Sequence, residues 1–554
     1  MKNYIFFTVF IFLCSVTLPQ TNWYIDNEDN NGDGSLEDPF NDWSTAIDNM
    51  EPGDFLNVLP GTYLMTGALS FDNSGDADNW FTIKAHDPGN KPVLQKTSDT
   101  RLILLDNDHY YKFENLILDG DFHGDQLVII RNNASNIRFN NCILKENRVD
   151  AVSIENGDKI LFDGCEIFFS IRYEDGNQVD AHGIMFRRGG TLTVKNCDIH
   201  HHTGDCIQIG TPEEPPVWDS VFVYNTILHT GTLDSDINGL PAGTYIGENA
   251  FDTKTIDISF MTGDLENYRG YCYLENVTVH GFNRALNYSS FNIKRTVDVT
   301  LKNCVAYDNW IAFRIRGNDH EGNPERDFIG AYTKMINCIA YDNQITLWPE
   351  ADIDSLKIYN CTFDKQDGYD YFDSRTSYNE GGFDMRNCIF YGVLEEPALL
   401  SETNYQASDD DFEDRESHDY RITETSPARG AGVVIPMVTT DFYGNPMNDP
   451  PDVGAIQFGS EPIVAVHPSL DQVDILSLFP NPADDNCNVL VNTSSTDNFV
   501  IHVFDIYGKL VFESTGCEGS CIVEIPANLM TPGIYFVGGR IGTRLLKMAK
   551  LVIK

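Results

Sequence analysis

Basic side chains recur at alternating positions of short apolar segments in the middle of the chain. Lys254 follows Phe251-Asp252-Thr253, and two arginines lie in Ile311-Ala312-Phe313-Arg314-Ile315-Arg316. Alternate residues of an extended strand face opposite sides, so the apolar residues face a core while Lys254, Arg314 and Arg316 face outward. Lysine can act as a base, and the planar guanidinium of arginine suits carboxylate or sulfate groups. Lys254, Arg314 and Arg316 are therefore the candidate catalytic residues for chemistry on an anionic substrate.

Carboxylates lie close to the starts of the same segments and of their neighbours. Several hard oxygen ligands on adjacent turns of the chain are what Ca²⁺ requires. The candidate ligands of a calcium ion are Asp180, Asp205, Glu248 and Asp252. Further polar residues of these segments are candidates for substrate binding: His182, Arg187, Arg284 and Asn287.

The register of the segments follows from aligning them on a shared small–apolar step. This alignment places the segment 284–288 between 249–254 and 311–316, with Lys254 two strands away from both arginines. Adjacent strands are about 4.8 Å apart, which predicts one basic patch about 10 Å across. Outward charges can also be solvated ion pairs of little energetic value, so that interpretation stays open.

The strands that carry these residues belong to a repeat in the sequence. An apolar strand ends in Asn-Cys and is followed by a short apolar stretch and a turn, and successive copies are at least about 23 residues apart. A minimum period with variable excess indicates one stacked unit per repeat, with insertions as loops. The period-two alternation indicates strands, so the predicted fold is all-β, a right-handed parallel β-helix. The clearest copies are Asn141-Cys142, Asn196-Cys197, Asn303-Cys304, Asn337-Cys338, Asn360-Cys361 and Asn387-Cys388, and Gly164-Cys165 is a looser copy.

The cysteines of this repeat occupy one equivalent position. Equivalent positions of stacked coils point the same way into the core, where a small apolar thiol packs well, so we expect a stack of free thiols and no disulfides. Cys517 and Cys521 lie outside the repeat, and their pairing is left open. The run His200-His201-His202 is typical of metal binding, but neighbouring strand residues face opposite sides, which favours a loop over a joint site.

Composition excludes some classes of partner. The chain has 554 residues and a net charge of −45, with 83 acidic against 38 basic residues. Nucleic acids and anionic membranes both need a cationic surface, so neither is expected as a partner. A basic patch on so acidic a chain is therefore unusual.

Five regions are expected along the chain. Residues 1–20 read as a secretory signal peptide, with an early lysine, an apolar run and a polar end. No other stretch reaches about 18 apolar residues, so no membrane span is expected. Separately, we expect the chain to be a monomer. The further regions are an N-terminal cap (21–64), the β-helix with the candidate site (65–460), a linker (461–472) and a C-terminal domain (473–554).

The C-terminal domain resembles a type IX secretion sorting domain. The resemblance is carried by Leu478-Phe479-Pro480-Asn481-Pro482, by Val503–Lys509, by Pro532–Phe536 and by the terminal Lys550–Lys554. It implies a small β-sandwich that serves as an export tag, the type IX secretion machinery as a partner, and a secreted or cell-surface location. Turn signals between short strands independently indicate a compact all-β unit.

The central region resembles calcium-dependent β-helix polysaccharide lyases, most nearly polysaccharide lyase family 9. The segment Gly247–Lys254 is similar to that family's lysine-bearing strand, and Asp205 stands where a calcium-binding aspartate is expected, although the expected pair is reduced to one. The resemblance implies β-elimination on a uronate-containing polymer, with Lys254 as the base. Arg314 and Arg316 are expected to lower the pKa of Lys254 toward neutrality.

Two other functions remain open from the sequence. Gly204–Ile209 and His182-Gly183-Ile184 are similar to parts of the polygalacturonase pattern, in reversed order and without its second aspartate, so a glycoside hydrolase on the same fold is the second possibility. Hydrolysis needs two carboxyl groups at a defined separation, and no such pair is assigned. A non-catalytic glycan-binding surface protein is the third possibility, because a fold does not fix a function.

Overall fold

The structure is a computed structural model that divides into two compact units, Met1–Glu461 and Pro462–Lys554. In the first unit it describes residues 20–28, 31–210, 218–254, 270–283, 289–294, 297–316, 331–349, 355–366, 368–372, 383–392 and 403–461. In the second unit it describes mainly the backbone of strands between 475 and 553. The proposed signal peptide and the linker lie outside the described residues, apart from Gln20 and Glu461.

The first unit is a parallel β-helix with three walls, which confirms the fold predicted from the repeat. Most coils add one strand to each wall, and each strand pairs in parallel with its counterparts in the neighbouring coils. Wall A consists of Asn22–Ile25, Phe55–Val58, Phe81–Ala85, His109–Glu114, Ala134–Asn140, Gly157–Asp163, Gly189–Lys195, Trp218–Tyr224, Gly270–Glu275, Val297–Lys302, Tyr332–Ile336, Ser355–Tyr359 and Phe383–Arg386.

Walls B and C complete each coil. Wall B consists of Thr62–Met65, Val93–Lys96, Ile117–Asp119, Ile143–Asn147, Glu166–Ser170, Asp198–His200, Ile227–His229, Thr278–His280, Val305–Tyr307, Ile339–Tyr341, Thr362–Phe363, Ile389–Tyr391 and Tyr405–Ala407. Wall C consists of Leu69–Ser70, Ile103–Asp106, Val128–Arg131, Val152–Ile154, Ile184–Phe186, Ile207–Ile209, Phe251–Thr253, Ser289–Ile293, Ile311–Ile315, Ile345–Pro349 and Asp370–Phe372.

A few elements lie outside the walls. The helix Trp43–Asp48 begins after Asp42, whose side chain accepts a hydrogen bond from the Thr45 amide at 2.7 Å. Two antiparallel hairpins are formed by Arg172–Glu174 with Asn177–Val179 and by Phe412–Asp414 with Asp419–Ile422. The first coil begins at Asn22–Ile25, inside the region expected to be only a cap.

The second unit contains a three-stranded and a four-stranded antiparallel sheet. Their strands are Ile475–Phe479, Cys487–Asn492 and Cys521–Ile525, then Asn498–Asp505, Leu510–Glu518, Gly533–Ile541 and Arg544–Ile553. Cys517 and Cys521 lie on two of these strands, and the structure does not describe their side chains.

The recurring asparagine makes the corner between walls A and B. Asn303 and Asn337 have φ angles of 53° and 52°, the left-handed region that asparagine tolerates better than most residues. Asn337 Nδ2 also donates to Asn303 Oδ1 at 3.1 Å, so the corners are joined from coil to coil. Gly164 fills the same corner at φ 67°, which explains why glycine replaces asparagine in that copy.

The cysteine after each corner points into the core. The structure describes the side chains of nine cysteines, and all are buried and free: Cys142, Cys165, Cys197, Cys206, Cys272, Cys304, Cys338, Cys361 and Cys388. Seven of them follow the corners, so the predicted stack of thiols is confirmed. Phenylalanines of wall A form a parallel stack, in which Phe139 and Phe162 lie 5.0 Å apart at an interplanar angle of 6°. The core therefore repeats in layers, and each layer fixes the register of the next.

Candidate active site

The candidate site lies on wall C, where the structure sets the register of the coils. Asp252 pairs with Asn292, and Asn292 pairs with Arg314. The strand between the Lys254 coil and the Arg314 coil is thus Ser289–Ile293, and the alignment that placed residues 284–288 there was wrong. Arg284 and Asn287, two of the candidates for substrate binding, lie outside the described residues. Residues 284–288 are extra relative to the coil that carries Arg314, so the strand begins five residues later than the alignment assumed.

A row of basic side chains follows from this register. Lys254, Lys294 and Arg316 each come two residues after a member of the Asp252–Asn292–Arg314 ladder. Arg187 directly follows Phe186, which is aligned through Ile209 with the residue before Lys254. We call Arg187, Lys254, Lys294 and Arg316 the basic row. Lys254 and Arg316 are two strands apart, as predicted, and Lys294 lies between them.

Two lysines of the basic row share one carboxylate. Lys254 Nζ and Lys294 Nζ each lie 2.7 Å from Asp252 Oδ2. Asp252 is fully buried, whereas the side chains of Lys254 and Lys294 are 20% and 12% exposed. Asp252 shares the outward parity of Lys254, but the two amines cover it. This carboxylate therefore positions both lysines at the surface of wall C.

Asp205 is held by residues of the adjoining coils. Its Oδ1 accepts hydrogen bonds from the amide and the side chain of Asn249, at 3.0 and 2.8 Å, and its own amide donates to His182 Nδ1 at 2.9 Å. Asn249 Oδ1 in turn accepts from the amide of Ser289. Asp205 Oδ2 is left 3.8 Å from Lys254 Nζ. The network fixes Asp205 and points its second oxygen toward the lysine.

The charges around Lys254 contradict one expectation. Burial acts to lower the pKa of Lys254, but the carboxylates of Asp205, Asp252 and Glu248 outweigh burial and raise the pKa above its ordinary value. The arginines were expected to lower this pKa, and that expectation was wrong because the negative charges of three carboxylates dominate. In the absence of ligand, Lys254 therefore holds its proton firmly.

Lys294 has the opposite shift. Burial lowers the pKa of Lys294, and the positive charge of Lys254 acts in the same direction. Burial works against ionisation of Asp252, but Lys294 and Lys254 together lower the pKa of Asp252. Of the two amines that touch Asp252, Lys294 is thus the one that loses its proton more easily.

The remaining carboxylates repel one another. The charge of Asp205, together with burial, raises the pKa of Glu248 to about 8. Burial and the charge of Asp252 raise the pKa of Asp205. Asp180 is exposed and adds a smaller repulsion on Glu248. Such a group of mutually repelling carboxylates is stabilised by any cation that enters it.

The other predicted residues differ in their surroundings. Arg314 was expected to project outward, but it is only 5% exposed and its guanidinium lies 4.0 Å from the centre of the Trp348 ring. His182 is 6% exposed and orients Asp205. Arg187 is exposed at the edge of the basic row, 4.0 Å from Asp150. Arg316 is partly buried. Access to a polymer is therefore greatest at Arg187, Lys254 and Arg316.

The donor set fits a hard cation in chemistry. Asp205 Oδ2 and Asp252 Oδ1 are buried oxygens that receive no hydrogen bond from the residues described. Oxygen ligands of this kind are what Ca²⁺ prefers. Asp252 Oδ2 contacts the two lysines, so only its Oδ1 is left for an ion. Within the described residues, no three of the four carboxylates bring oxygens within 4.8 Å of one another, so the set is more open than a closed site.

Sequence reasoning missed Lys294 and Asn249. A signal for Lys294 was present, because Asp252-Thr253-Lys254, Asn292-Ile293-Lys294 and Arg314-Ile315-Arg316 share one pattern of polar, inward and basic residues. The misplaced strand at 284–288 hid this pattern. Asn249 gave no comparable signal, because its role depends on contacts between coils.

Three solved structures illustrate the likeness of the fold. A pectate lyase Pel9A is 14% identical, with a TM-score of 0.46, and the match covers 79% of this chain and 96% of that one. A rhamnogalacturonan lyase is 10% identical, with a TM-score of 0.45 and the same coverage. An alginate lyase from Paenibacillus sp. str. FPU-7 is 14% identical, with a TM-score of 0.32, covering 68% of this chain and 99% of that one. No curated protein matches the chain significantly.

Family models match both units. The model described as "Pel9A-like, right handed beta helix region" matches residues 23–351, and that of a secretion system C-terminal sorting domain matches residues 477–554. The second match confirms export to the cell surface or beyond, and the described part of the chain has no helix long and apolar enough to span a membrane. The first match includes every described residue of the basic row and covers more than half of the sequence, so this chain belongs to the Pel9A-like right-handed β-helix family.

Proposed function

We propose that this chain is an exported polysaccharide lyase that cleaves a uronate-containing polymer by β-elimination. The observation that carries the proposal is the position of Lys254, which lies on wall C against Asp252 and next to Lys294 in the basic row. A line of cations along a flat parallel sheet suits an extended anionic chain. The similarity to proteins named pectate, rhamnogalacturonan and alginate lyases agrees with this substrate class.

Lys254 is the base in this proposal. β-Elimination removes the proton from C5, next to the uronate carboxyl group. The electrons of that C–H bond form the C4–C5 double bond, and the C4–O bond breaks as the leaving oxygen takes up a proton from water. Lys254 Nζ accepts the C5 proton, while Lys294 and Arg316 stabilise the negative charge that develops on the carboxyl group.

Lys254 must lose a proton before it can act. Asp252 Oδ2 contacts both amines, and the lowered pKa of Lys294 makes it the member of the pair that is more often neutral. Lys294 is the weaker base of the two, so it does not take the proton from Lys254 readily, and the pKa of Lys254 must first be lowered by positive charge near Asp205 and Glu248. A calcium ion held by Asp180, Asp205 and Glu248 would supply positive charge that neutralises the substrate carboxylate and offsets the carboxylates around Lys254.

The proposal is tested with anionic polymers. The full chain, without an affinity tag, is incubated with pectate, alginate, a glycosaminoglycan and a sulfated algal glycan, with and without a chelator. Elimination leaves an unsaturated end that absorbs in the ultraviolet, and we expect this absorbance with at least one uronate polymer. Lys254→Ala should lower the rate by about 10²- to 10⁴-fold.

Lys334→Ala is the matched control. Lys334 lies on wall A, where its Nζ is 3.2 Å from Asp298 Oδ1 and its side chain is 32% exposed. This variant should cleave at the wild-type rate. Full activity of the Lys254→Ala variant would remove the base assignment, and cleavage without ultraviolet absorbance would replace elimination by hydrolysis.

One observation favours a hydrolase as the second candidate. Glu248, with its pKa raised to about 8, is protonated at neutral pH, whereas the two lysines keep Asp252 ionised. Carboxyl groups whose pKa values are pushed apart are typical of the acid and base pair of glycoside hydrolases. In that case Glu248→Gln would abolish cleavage and Lys254→Ala would not.

A further inference from the structure

A second group of chemically active side chains lies on wall B, away from the basic row. Three successive strands, Asp198–His200, Ile227–His229 and Thr278–His280, each end in histidine. The register pairs His200 with His229 and His229 with His280. Their rings are stacked, 4.6 Å apart for His200 and His229 and 4.9 Å apart for His229 and His280.

The histidines form part of a longer ladder of rings. Phe168 precedes His200 at 5.0 Å, and Tyr307 follows His280 at 4.8 Å. The same position thus accepts phenylalanine, histidine or tyrosine when only stacking is required. Histidine at three adjacent strands adds nitrogen atoms that could bind a metal ion, and stacking alone does not require them.

The ligand atoms of three residues converge. Asp198, His200 and His229 each offer one atom, and these atoms all lie within 4.8 Å of one another. This is the one such group among the described residues. Asp198 Oδ1 lies 3.1 Å from His229 Nε2, and it is a buried oxygen without a hydrogen bond of good geometry from any described residue. Ligands about 2.0–2.2 Å from a tetrahedral metal ion lie about 3.3–3.6 Å apart, so the three atoms must move closer together to bind one.

Neighbouring contacts orient the group and leave it accessible. His200 Nδ1 and His201 Nδ1 are 2.8 Å apart, so one ring donates a hydrogen bond to the other. Ring partners of this kind hold a ligating imidazole in place. The side chains of His200, His229 and Asp198 are 14%, 21% and 44% exposed, so an ion can reach them from solvent.

We propose that Asp198, His200 and His229 bind a divalent transition-metal ion of the zinc class. Two imidazoles and one carboxylate form a donor set that selects Zn²⁺ and its neighbours over Ca²⁺. Because Asp198 and His200 belong to one coil and His229 to the next, the ion joins two coils of wall B. His202, the third member of the histidine run, is 1% exposed and faces inward, with its Nδ1 accepting a hydrogen bond from the Ser170 amide. The site thus arises between coils and not from the run itself.

The test uses the full chain without an affinity tag, after treatment with a chelator. Binding of Zn²⁺ is measured by calorimetric titration, and binding of Co²⁺ is followed by its absorbance. His229→Phe removes one ligand but keeps a ring in a position where Phe168 occurs naturally one strand before His200. This variant should bind Zn²⁺ more than about 10-fold more weakly. His280→Phe makes the same change one coil away, outside the ligand group, and should bind Zn²⁺ like the wild type.

Two further readouts decide between a metal site and a plain stack. Zn²⁺ should raise the Tm of the wild type and of His280→Phe, but not that of His229→Phe, because a ligand stabilises only the state that binds it. Asp198→Asn, which leaves the ring ladder intact, should also weaken Zn²⁺ binding. A wild type that shows no saturable binding of Zn²⁺ or Co²⁺, or equal affinity in His229→Phe and wild type, would overturn the proposal. Activity on polysaccharides plays no part in these measurements.

Discussion

Walls B and C are formed by the same coils, but their outward positions carry different chemistry. Wall B presents a ladder of rings from Phe168 to Tyr341, whereas wall C presents the basic row above buried carboxylates. A single asparagine corner precedes each strand of this part of wall B apart from Glu166–Ser170, where Gly164 takes its place. Connections of different lengths lie on both sides of wall C. Wall B therefore repeats from coil to coil, and wall C varies, as expected where loops build a functional site.

The contrast also separates two kinds of stability. Wall B depends on many equal contacts between rings, each worth little. Wall C concentrates two amines on one buried carboxylate, so a single substitution there should have a large effect. The following substitutions test this difference.

Asp252→Asn should have the largest effect. The substitution leaves Lys254 and Lys294 facing each other without a shared anion, and breaking a buried pair in this way costs about 3 kcal/mol of unfolding free energy. Denaturant unfolding measures the loss. Asp298→Asn is the control, because its pair with Lys334 is about one-third exposed and should be worth about 1 kcal/mol or less. Equal losses of unfolding free energy in both variants would show that burial of Asp252 does not make its ion pairs more stabilising than an exposed pair.

Asn337→Ala should have the next largest effect. Asn337 is fully buried at a corner with φ 52°, and alanine pays about 1–2 kcal/mol for that conformation, in addition to the lost hydrogen bonds to Asn303 and Thr440. Asn337→Gly keeps the conformation and loses only the side chain, as Gly164 does naturally. The glycine variant should therefore be the more stable of the two in thermal unfolding, and the reverse order would contradict this account of the corner.

His280→Ala should have a smaller effect. It opens a gap between His229 and Tyr307, and the two stacked contacts together are worth about 1–2 kcal/mol. His280→Phe restores the ring and should regain most of that stability. If alanine and phenylalanine give the same Tm, the ladder contributes no stacking energy.

Glu248→Gln should change mainly the pH dependence. The pKa of Glu248 is raised to about 8 from its ordinary value of 4.5, so the folded chain keeps a proton that the unfolded chain loses. Ionisation of Glu248 therefore costs stability progressively as the pH rises from about 4.5 through about 8. The Tm of Glu248→Gln relative to wild type should rise between about pH 5 and pH 9. Glu424→Gln, at an 82% exposed side chain, should show no such trend, and a flat difference for Glu248→Gln would contradict the shift.

Much of the fold follows from the sequence because the corner is local. A left-handed asparagine followed by an inward cysteine is specified within a few residues, so the repeat identifies the strands of walls A and B directly. Lys254, Asp205, Glu248 and Asp252 were placed together by the small–apolar step that the segments of wall C share. Lys294 was not, since residues 284–288 were aligned as the strand and the true strand is Ser289–Ile293.

Interactions between coils were the other limit. Sequence alternation was expected to separate neighbouring histidines, but His200 Nδ1 and His201 Nδ1 lie 2.8 Å apart, because His201 has a φ of 55° and is not extended. Alternation also gave no reason to join His200 to His229, which is 29 residues away. The shared ending of three wall B strands in histidine was visible in the sequence, although only the register turns it into a cluster. The pKa of Lys254 likewise depends on Asp205 and Glu248 from other parts of the coils, and not on the arginines of its own pattern.

The column of sulfur atoms inside the solenoid has a consequence for a chain that leaves the cell. Burial raises the pKa of Cys142 and Cys165 well above the ordinary value, so these thiols resist oxidants and alkylating reagents while the coils stay closed. Once the coils separate, every one of them becomes reactive. The reaction of these thiols with an alkylating dye would therefore report unfolding of the exported chain, without an engineered cysteine.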